Sequence, residues 1–295
     1  MINAEAMPLS PPIAALLRQF HQRKPARIWS LIVTLYGDAI VPRGGSLWIG
    51  SLIEVMALFG IDAGHVRTAV SRLSSDGWLV STKRGRASYY RLTRSGETEF
   101  LQATQRIYSG IPMVRGDMQV AIIGPAAQDH GAIRAALRTA GYAAVSPVIH
   151  AGFDAPPPDL LAHEGVFVMT PRPGDRRALA EAAFRTDEVS RSYRDFVAQF
   201  SPVADALARK APDEEEALVT RTLLIHAFRR VVLRDPGLTS DLLPSDWQGG
   251  AARALAARIY ALVAAPSERF LDRVALNESG ALPAPEAGFH KRFSN

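Results

Sequence analysis

Between residues 61 and 93 the hydrophobic positions change period once. Val66, Ala69, Val70 and Leu73 recur at i, i+3, i+4 and i+7, the spacing of one buried helix face. Asp62 stands just before them and predicts an N-cap, since its carboxylate can accept from the orphan amides of the first turn. Gly77 predicts the stop. Beyond it, residues 78–82 (WLVST) and 88–92 (SYYRL) read as two strands joined by the basic turn Lys83-Arg84-Gly85-Arg86, whose glycine permits positive φ. At about 100° per residue, Arg67, Thr68, Ser71 and Arg72 fall opposite the buried face. That side carries no acid and no large apolar residue. Forked donors and short hydroxyls suit base edges and phosphates in a major groove. A helix followed by a basic ribbon is the outline of a winged helix-turn-helix; the plain alternative is a solvated helix face beside an ordinary charged hairpin.

Upstream, residues 26–36 (ARIWSLIVTLY) are apolar with helix-compatible spacing, Ile28, Leu31, Ile32 and Leu35 making one face, and Gly37-Asp38 ends the segment. Residues 41–45 (VPRGG) read as a turn. Ser46 or Ser51 can cap a second helix that turns Trp48, Leu52, Val55, Met56 and Phe59 to the core, and Gly60 closes it. Helix, glycine turn, helix is the helix-turn-helix order. Thr93 or Ser95 can cap a linker helix over residues 96–108.

Further along, residues 118–124 (MQVAIIG), 142–149 and 164–170 (EGVFVMT) read as strands, Pro147 suggesting an edge or the end of the second, with a helix at 130–140 and another at 176–184. This is the order of a small ferredoxin-like α+β domain. From Val189 on the pattern is helical, interrupted near Pro202; Pro212 with Asp213 and three glutamates opens another helix running to Pro236. Helices at 248–263 and after Pro266 follow, and residues 280–295 read as a weakly ordered tail. The fold class expected is multidomain α+β: a winged helix domain at 1–94, a linker helix at 95–116, a ferredoxin-like domain at 117–188, an all-α domain at 189–279 and the tail.

Charge sharpens the first stretch. Residues 62–94 hold seven cations (Arg67, Arg72, Lys83, Arg84, Arg86, Arg91, Arg94) and two acids, a surplus of +5 that equals the formal charge of all 295 residues. The positive excess is therefore local, as an electrostatic footprint on nucleic acid would be. Hydrophobic residues at 47% and charged residues at 21% describe a folded chain able to bury its cores. The absence of cysteine excludes disulfides, thiolate zinc sites and a cysteine nucleophile, and suits a reducing cytoplasm. No signal-peptide pattern opens the chain, and no apolar run approaches the ~20 residues of a membrane helix. A phosphate loop, HExxH and GxSxG are all missing, and the seven histidines show no close pair at metal spacing.

The stretches TLYGDAIVPRGGSLWIGSLIEVMALFGI, HVRTAVSRLSSDGWL and KRGRASYYRLTRSGETEF, with the later RIY, resemble the PaaX family of bacterial repressors over residues 27–108. That family controls phenylacetate degradation and related aromatic catabolism. The resemblance implies a winged helix that binds an operator as a dimer, with Arg67, Thr68, Ser71 and Arg72 as base or phosphate contacts and Lys83, Arg84 and Arg86 as wing contacts. Strand alternation sends one of Tyr89 and Tyr90 inward, so neither is assigned to DNA. Trp48 and Trp78 read as core, while Arg43 and Arg94 read equally well as solvated surface or phosphate contacts.

Repressors of this type carry a middle domain similar to the small ferredoxin-like nucleases of CRISPR adaptation systems. This chain departs from the family where a Trp usually opens the first strand and a Pro-Glu pair follows it; here stand Met118 and Gly124-Pro125-Ala126-Ala127. A metal nuclease of that shape needs an acid in or at the end of this strand. Residues 118–124 hold none, so the domain reads as scaffold and dimerisation surface.

The later run with RDPGL and DLLPSDWQG resembles the family's carboxy-terminal domain. In that family an aryl-CoA thioester, phenylacetyl-CoA, releases the repressor from DNA. Such an effector needs cations for its phosphates and an apolar slot for its ring. His226, Arg229, Arg230 and Arg234 with Tyr193 and Trp247 are the candidates, although arginines complementing a helix dipole and a core tryptophan explain the same residues. The expectation is thus a cytoplasmic, homodimeric, non-enzymatic repressor of an aromatic-acid operon, with no cofactor and no metal. Its partners are duplex operator DNA and an acyl-CoA effector, and no membrane. A metal-dependent nuclease built on the middle domain, or a DNA-binding protein without effector, are the alternatives.

Overall fold

The computed structural model describes residues 9–22, 28–114 and 116–294. It is mixed helix and sheet. The chain divides into two compact units: residues up to 110, 195–233 and from 250 onward form the first, and residues 111–194 with 234–249 the second. The segment expected as a separate helical domain, 189–279, is shared between them.

The first unit opens with α1 (Pro11–Gln22), which the sequence reading passed over; it buries Ile13, Leu16 and Phe20. Next comes α2 (Ile28–Leu35). Ala26, where the apolar spacing starts this helix, and Arg27 lie outside the described residues. Gly37-Asp38 does not end it: a π turn (Tyr36–Ile40) and a 3-10 turn (Val41–Arg43) carry the helical path on, every π-turn residue buried. After β1 (Leu47–Trp48) comes α3 (Ile49–Ala57), which takes no side-chain cap. Ser51 is instead fully buried and hydrogen-bonds elsewhere. Leu52, Val55, Met56 and Phe59 reach the core as the spacing requires, while Trp48, expected with them, is half-buried.

α4 (Ala63–Ser75) follows after Gly60, then β2 (Leu79–Arg84) and β3 (Ala87–Leu92). The antiparallel sheet has the order β1-β3-β2, so the strand before α3 closes one side of the ribbon. α5 (Arg94–Thr104) is capped by the Thr93 hydroxyl on the Gly96 amide and ends in a π turn (Gln105–Ser109).

In the second unit, β4 (Gln119–Ile123) is followed by α6 (His130–Thr139). The expected strand at 142–149 is a hairpin: β5 (Ala143–Ala144) turns through Ser146-Pro147 into β6 (Ile149–Gly152). Proline lacks the ladder donor, which is why the run breaks there. A short α7 (Pro158–Leu161) precedes β7 (Val166–Met169), and α8 (Arg176–Phe184) comes after it. The sheet order is β5-β6-β4-β7, antiparallel throughout. Ala121, Ile123, Ile133, Leu137, Tyr142 and Leu160 form its core with α6. Met118, Ala180, Leu238 and Leu242 make a second cluster.

α9 (Thr186–Arg209) leads the chain back to the first unit. α10 (Glu214–Val232) starts on the cap Asp213 and packs on α2. α11 (Gly249–Val274) follows, then the hairpin of β8 (Leu276–Asn277) and β9 (Gly280–Ala281). Neither Pro202 nor Pro266 breaks its helix. A proline inside a helix costs about 3 kcal/mol, and burial of Phe200, Val203, Ala204, Val263, Phe270 and Leu271 offsets it. Nor is the tail loose. Phe289 is buried, and the Phe293 amide donates to the Tyr108 carbonyl at 3.1 Å.

Candidate nucleic-acid interface

Asp62 caps α4, its carboxylate accepting from the His65 amide at 2.9 Å. That bond and the His65 side chain hold the Asp62 carboxyl below its ordinary value. Val66, Ala69, Val70 and Leu73 are buried, so the opposite side is forced outward. Arg67, Thr68, Ser71 and Arg72 are all exposed. The Thr68 hydroxyl donates back to the Gly64 carbonyl at 3.0 Å, leaving its lone pairs outward. Arg72 pairs with Asp76 at 3.6 Å, both exposed, a contact worth little in water and easily exchanged for a phosphate.

β2 and β3 pair from Leu79↔Leu92 to Arg84↔Ala87, and Gly85 turns the ribbon at φ 59°. Lys83, Arg84 and Arg86 are exposed at this tip. Residues opposite one another share a face, so Ser81, Lys83, Ser88 and Tyr90 lie on one side of the ribbon and Thr82, Arg84 and Tyr89 on the other. The first side meets α4 across a cleft of about 400 Å³ lined by Arg67, Ser71, Ser74, Ser81, Ser88 and Tyr90. The helix and ribbon therefore present one surface. Three of its hydroxyls, Ser74, Ser81 and Ser88, were missed in the sequence; strand alternation from Tyr90 was the signal that could have found the last two.

Tyr89 and Tyr90 are both half-buried, and the Tyr90 carbonyl accepts from the buried Tyr36 hydroxyl at 3.1 Å. Arg94 is exposed. Arg43 fits neither of its two readings: it is 1% exposed and donates to Glu268 at 2.9 Å, to the Pro283 carbonyl at 2.7 Å and to Asp272. It belongs to a buried network that the sequence did not announce. Arg221, fully buried, donates to Asp38 at 2.6 Å and to Glu268 at 2.5 Å. Asp38 also accepts from Tyr108, Tyr260 and Arg292 at 2.5, 2.9 and 2.9 Å.

The effector candidates divide between the two units. Tyr193, Arg234 and Trp247 belong to the second. There the Tyr193 hydroxyl donates to Asp235 at 2.7 Å, and its ring meets Trp247 edge-on at 5.2 Å; Arg234 is exposed. His226, Arg229 and Arg230 belong to the first. His226 is buried against Phe20, its Nδ1 3.1 Å from the Thr34 hydroxyl. Arg229 donates to the Ser30 carbonyl and hydroxyl at 2.9 and 2.6 Å. Burial, and then the like charge of Arg230, push the Arg229 guanidinium down to about 10. Among the described residues no group of three or more His, Asp or Glu is placed to hold a metal ion, and no helix is long and apolar enough to cross a membrane.

Residues 27–96 match the family described as PaaX-like protein, and residues 184–273 the PaaX-like protein C-terminal domain. The transcriptional repressor PaaX of Escherichia coli (strain K12) is 33% identical over 287 residues, covering 90% of this chain and 89% of that protein. Among solved structures, an uncharacterized protein from Mycobacterium tuberculosis is 23% identical with a TM-score of 0.43, covering 74% of this chain and 88% of its own.

Proposed function

The chain belongs to the PaaX family, and on that footing we propose that it is a cytoplasmic transcriptional repressor whose first unit grips operator DNA. The carrying observation is the acid-free exposed side of α4, set beside an exposed cationic turn. We read α3, α4 and the β2–β3 ribbon as a winged helix-turn-helix, and the β5-β6-β4-β7 sheet with α6 as the ferredoxin-like middle domain. Arg67 and Arg72, with Thr68 and Ser71, enter the major groove and read base edges; Lys83, Arg84 and Arg86 take phosphates or the minor groove. A homodimer then asks for two-fold half-sites one helical turn apart, or a multiple of it.

The operon is one of aromatic-acid catabolism of the phenylacetate type, and an aryl-CoA thioester such as phenylacetyl-CoA releases the repressor. Arg229 supports an anionic effector. It is a largely buried guanidinium with its Nε unpartnered and no carboxylate paired with it among the described residues, so a ligand phosphate would supply the missing charge. Release follows if the thioester binds the DNA-free conformation better, since a ligand shifts an equilibrium only by its differential affinity. The reading assigns regulation, not catalysis, to this chain.

The test is a fluorescence-anisotropy titration of operator DNA against a panel of free aromatic acids and their CoA thioesters. Thioester-specific release is the expected result. A chain that binds DNA but ignores every thioester would be a repressor without this effector, and one that binds no duplex would overturn the reading altogether.

A further inference from the structure

We propose that the 276–281 hairpin is a brace that orients the wing cation Arg84, with Glu278 as its positioning residue; the proposal rests on the reading of the β2–β3 ribbon as a DNA-gripping wing. The hairpin is fixed at both ends to the helix-turn segment of the same unit. On entry, the buried Ser51 hydroxyl donates to the Val274 carbonyl at 2.7 Å and accepts from the Leu276 amide at 3.1 Å. On exit, Arg43 donates to the Leu282 and Pro283 carbonyls at 3.2 and 2.7 Å, and the Glu286 amide donates to the Pro42 carbonyl at 2.9 Å. The tip keeps its own shape: the Asn277 side chain accepts from the Ser279 amide at 2.8 Å, and Gly280 takes φ 113°.

Among the described residues, two hydrogen bonds involving Glu278 leave this tip. The Glu278 carboxylate accepts from the Ser46 hydroxyl at 2.8 Å, and the Glu278 carbonyl accepts from Arg84 Nη1 at 3.1 Å. The division of labour matters. Arg84 is held by a neutral carbonyl, so its charge stays available to a phosphate. The carboxylate, which would otherwise repel the DNA backbone, is turned to Ser46. Arg84 lies on the side of the ribbon away from the α4 cleft, where nothing on α4 can steady it. A long side chain loses rotamer freedom when it binds, and the brace meets part of that cost before DNA arrives.

The experiment uses the full chain and a duplex that the wild type enriches from a random-sequence library. Glu278→Ala removes the acceptor for Ser46 and frees the tip; Ser46→Ala removes the same bond from its other end. Each is expected to weaken binding about three- to tenfold with an unchanged melting temperature, and Arg84→Ala should cost less in either background than in the wild type. Glu278→Gln keeps an acceptor for Ser46 and should restore binding. The brace is overturned if Glu278→Ala and Glu278→Gln tighten binding alike, which would leave only a repulsive charge. It is equally overturned if the alanine variants bind as the wild type does, or if their losses multiply independently with that of Arg84→Ala. Failure of the wild type to enrich any duplex would instead strike the DNA-binding reading itself.

Discussion

Replacing Asp38 with alanine should be among the most damaging single changes in the first unit. Its carboxylate is 2% exposed and accepts four hydrogen bonds, from Arg221, Tyr108, Tyr260 and Arg292, all between 2.5 and 2.9 Å. Three arginines (43, 221, 292) meet three carboxylates (38, 268, 272) in this network, so the charges balance. Asp38→Ala leaves one cation in excess beside the fully buried Arg221. Stranding one partner of a buried pair costs about 3–5 kcal/mol. Asp38→Asn keeps an acceptor but not the charge, and should cost roughly 2–3 kcal/mol.

The pH dependence follows from the same geometry. Burial raises the Asp38 carboxyl, but the charges of Arg221 and Arg292 and the hydrogen bonds from Tyr108 and Arg221 outweigh it, leaving the group below its ordinary value. A depressed folded value means that this stabilisation is fully present above the unfolded value of about 3.9 and is lost as pH falls through the folded one. Urea unfolding of wild type and both variants, followed by circular dichroism from neutral to strongly acidic pH, measures this. The gap between wild type and Asp38→Ala should be flat near neutrality and close in strong acid. A neutral-pH loss below about 1 kcal/mol, or a gap that widens in acid, would show that the Asp38 network does not carry this stability.

Other outcomes follow from the site. Arg67→Ala and Arg72→Ala should each cost about 1–3 kcal/mol of operator binding and relax sequence choice, whereas Arg84→Ala should weaken all sequences evenly and lower the salt slope by about 1; equal, sequence-blind losses in gel-shift titrations of all three would remove the base-reading assignment. Arg229→Gln should abolish the thioester's effect on operator affinity, and an undiminished response would take Arg229 out of the effector site. In the second unit, Gly165 sits at φ 82° in a tight turn: a Cβ there would stand 2.4 Å from the Ala127 amide nitrogen. Gly165→Ala should therefore lower stability by about 1–3 kcal/mol, read as a lower melting temperature, and a neutral substitution would show that this turn yields.

What the sequence made legible is what neighbours along the chain decide. The α4 cap, its buried stripe, the Gly77 stop and the ribbon turning at Gly85 are all local patterns, and each stands where the spacing put it. Pro147 does mark a strand break, as its missing ladder donor suggests, whereas the helical path beyond Gly37 was misread. A single proline or glycine is a strong local signal, but only tertiary packing decides whether it ends an element. The least legible features are those whose partners are far away in sequence. Arg43 looked like a surface cation because Glu268, Asp272 and Pro283 lie more than two hundred positions on. The tail looked loose because Arg292 and Phe289 find their partners near Asp38 and Tyr260.

This sorting of arginines bears on the charge that DNA would feel. In the first unit Asp38, Glu268 and Asp272 are engaged by Arg43, Arg221 and Arg292, cation for anion. They cannot also neutralise α4 and the ribbon. Glu278, which stands beside the β2–β3 ribbon, is turned to Ser46. Within residues 62–94 the acids are Asp62 and Asp76. Asp62 is occupied in capping α4, and Asp76 is an exposed, exchangeable partner of Arg72. A network that balances its own charges thus takes nothing from the outer cations, and salt competes with phosphate for them.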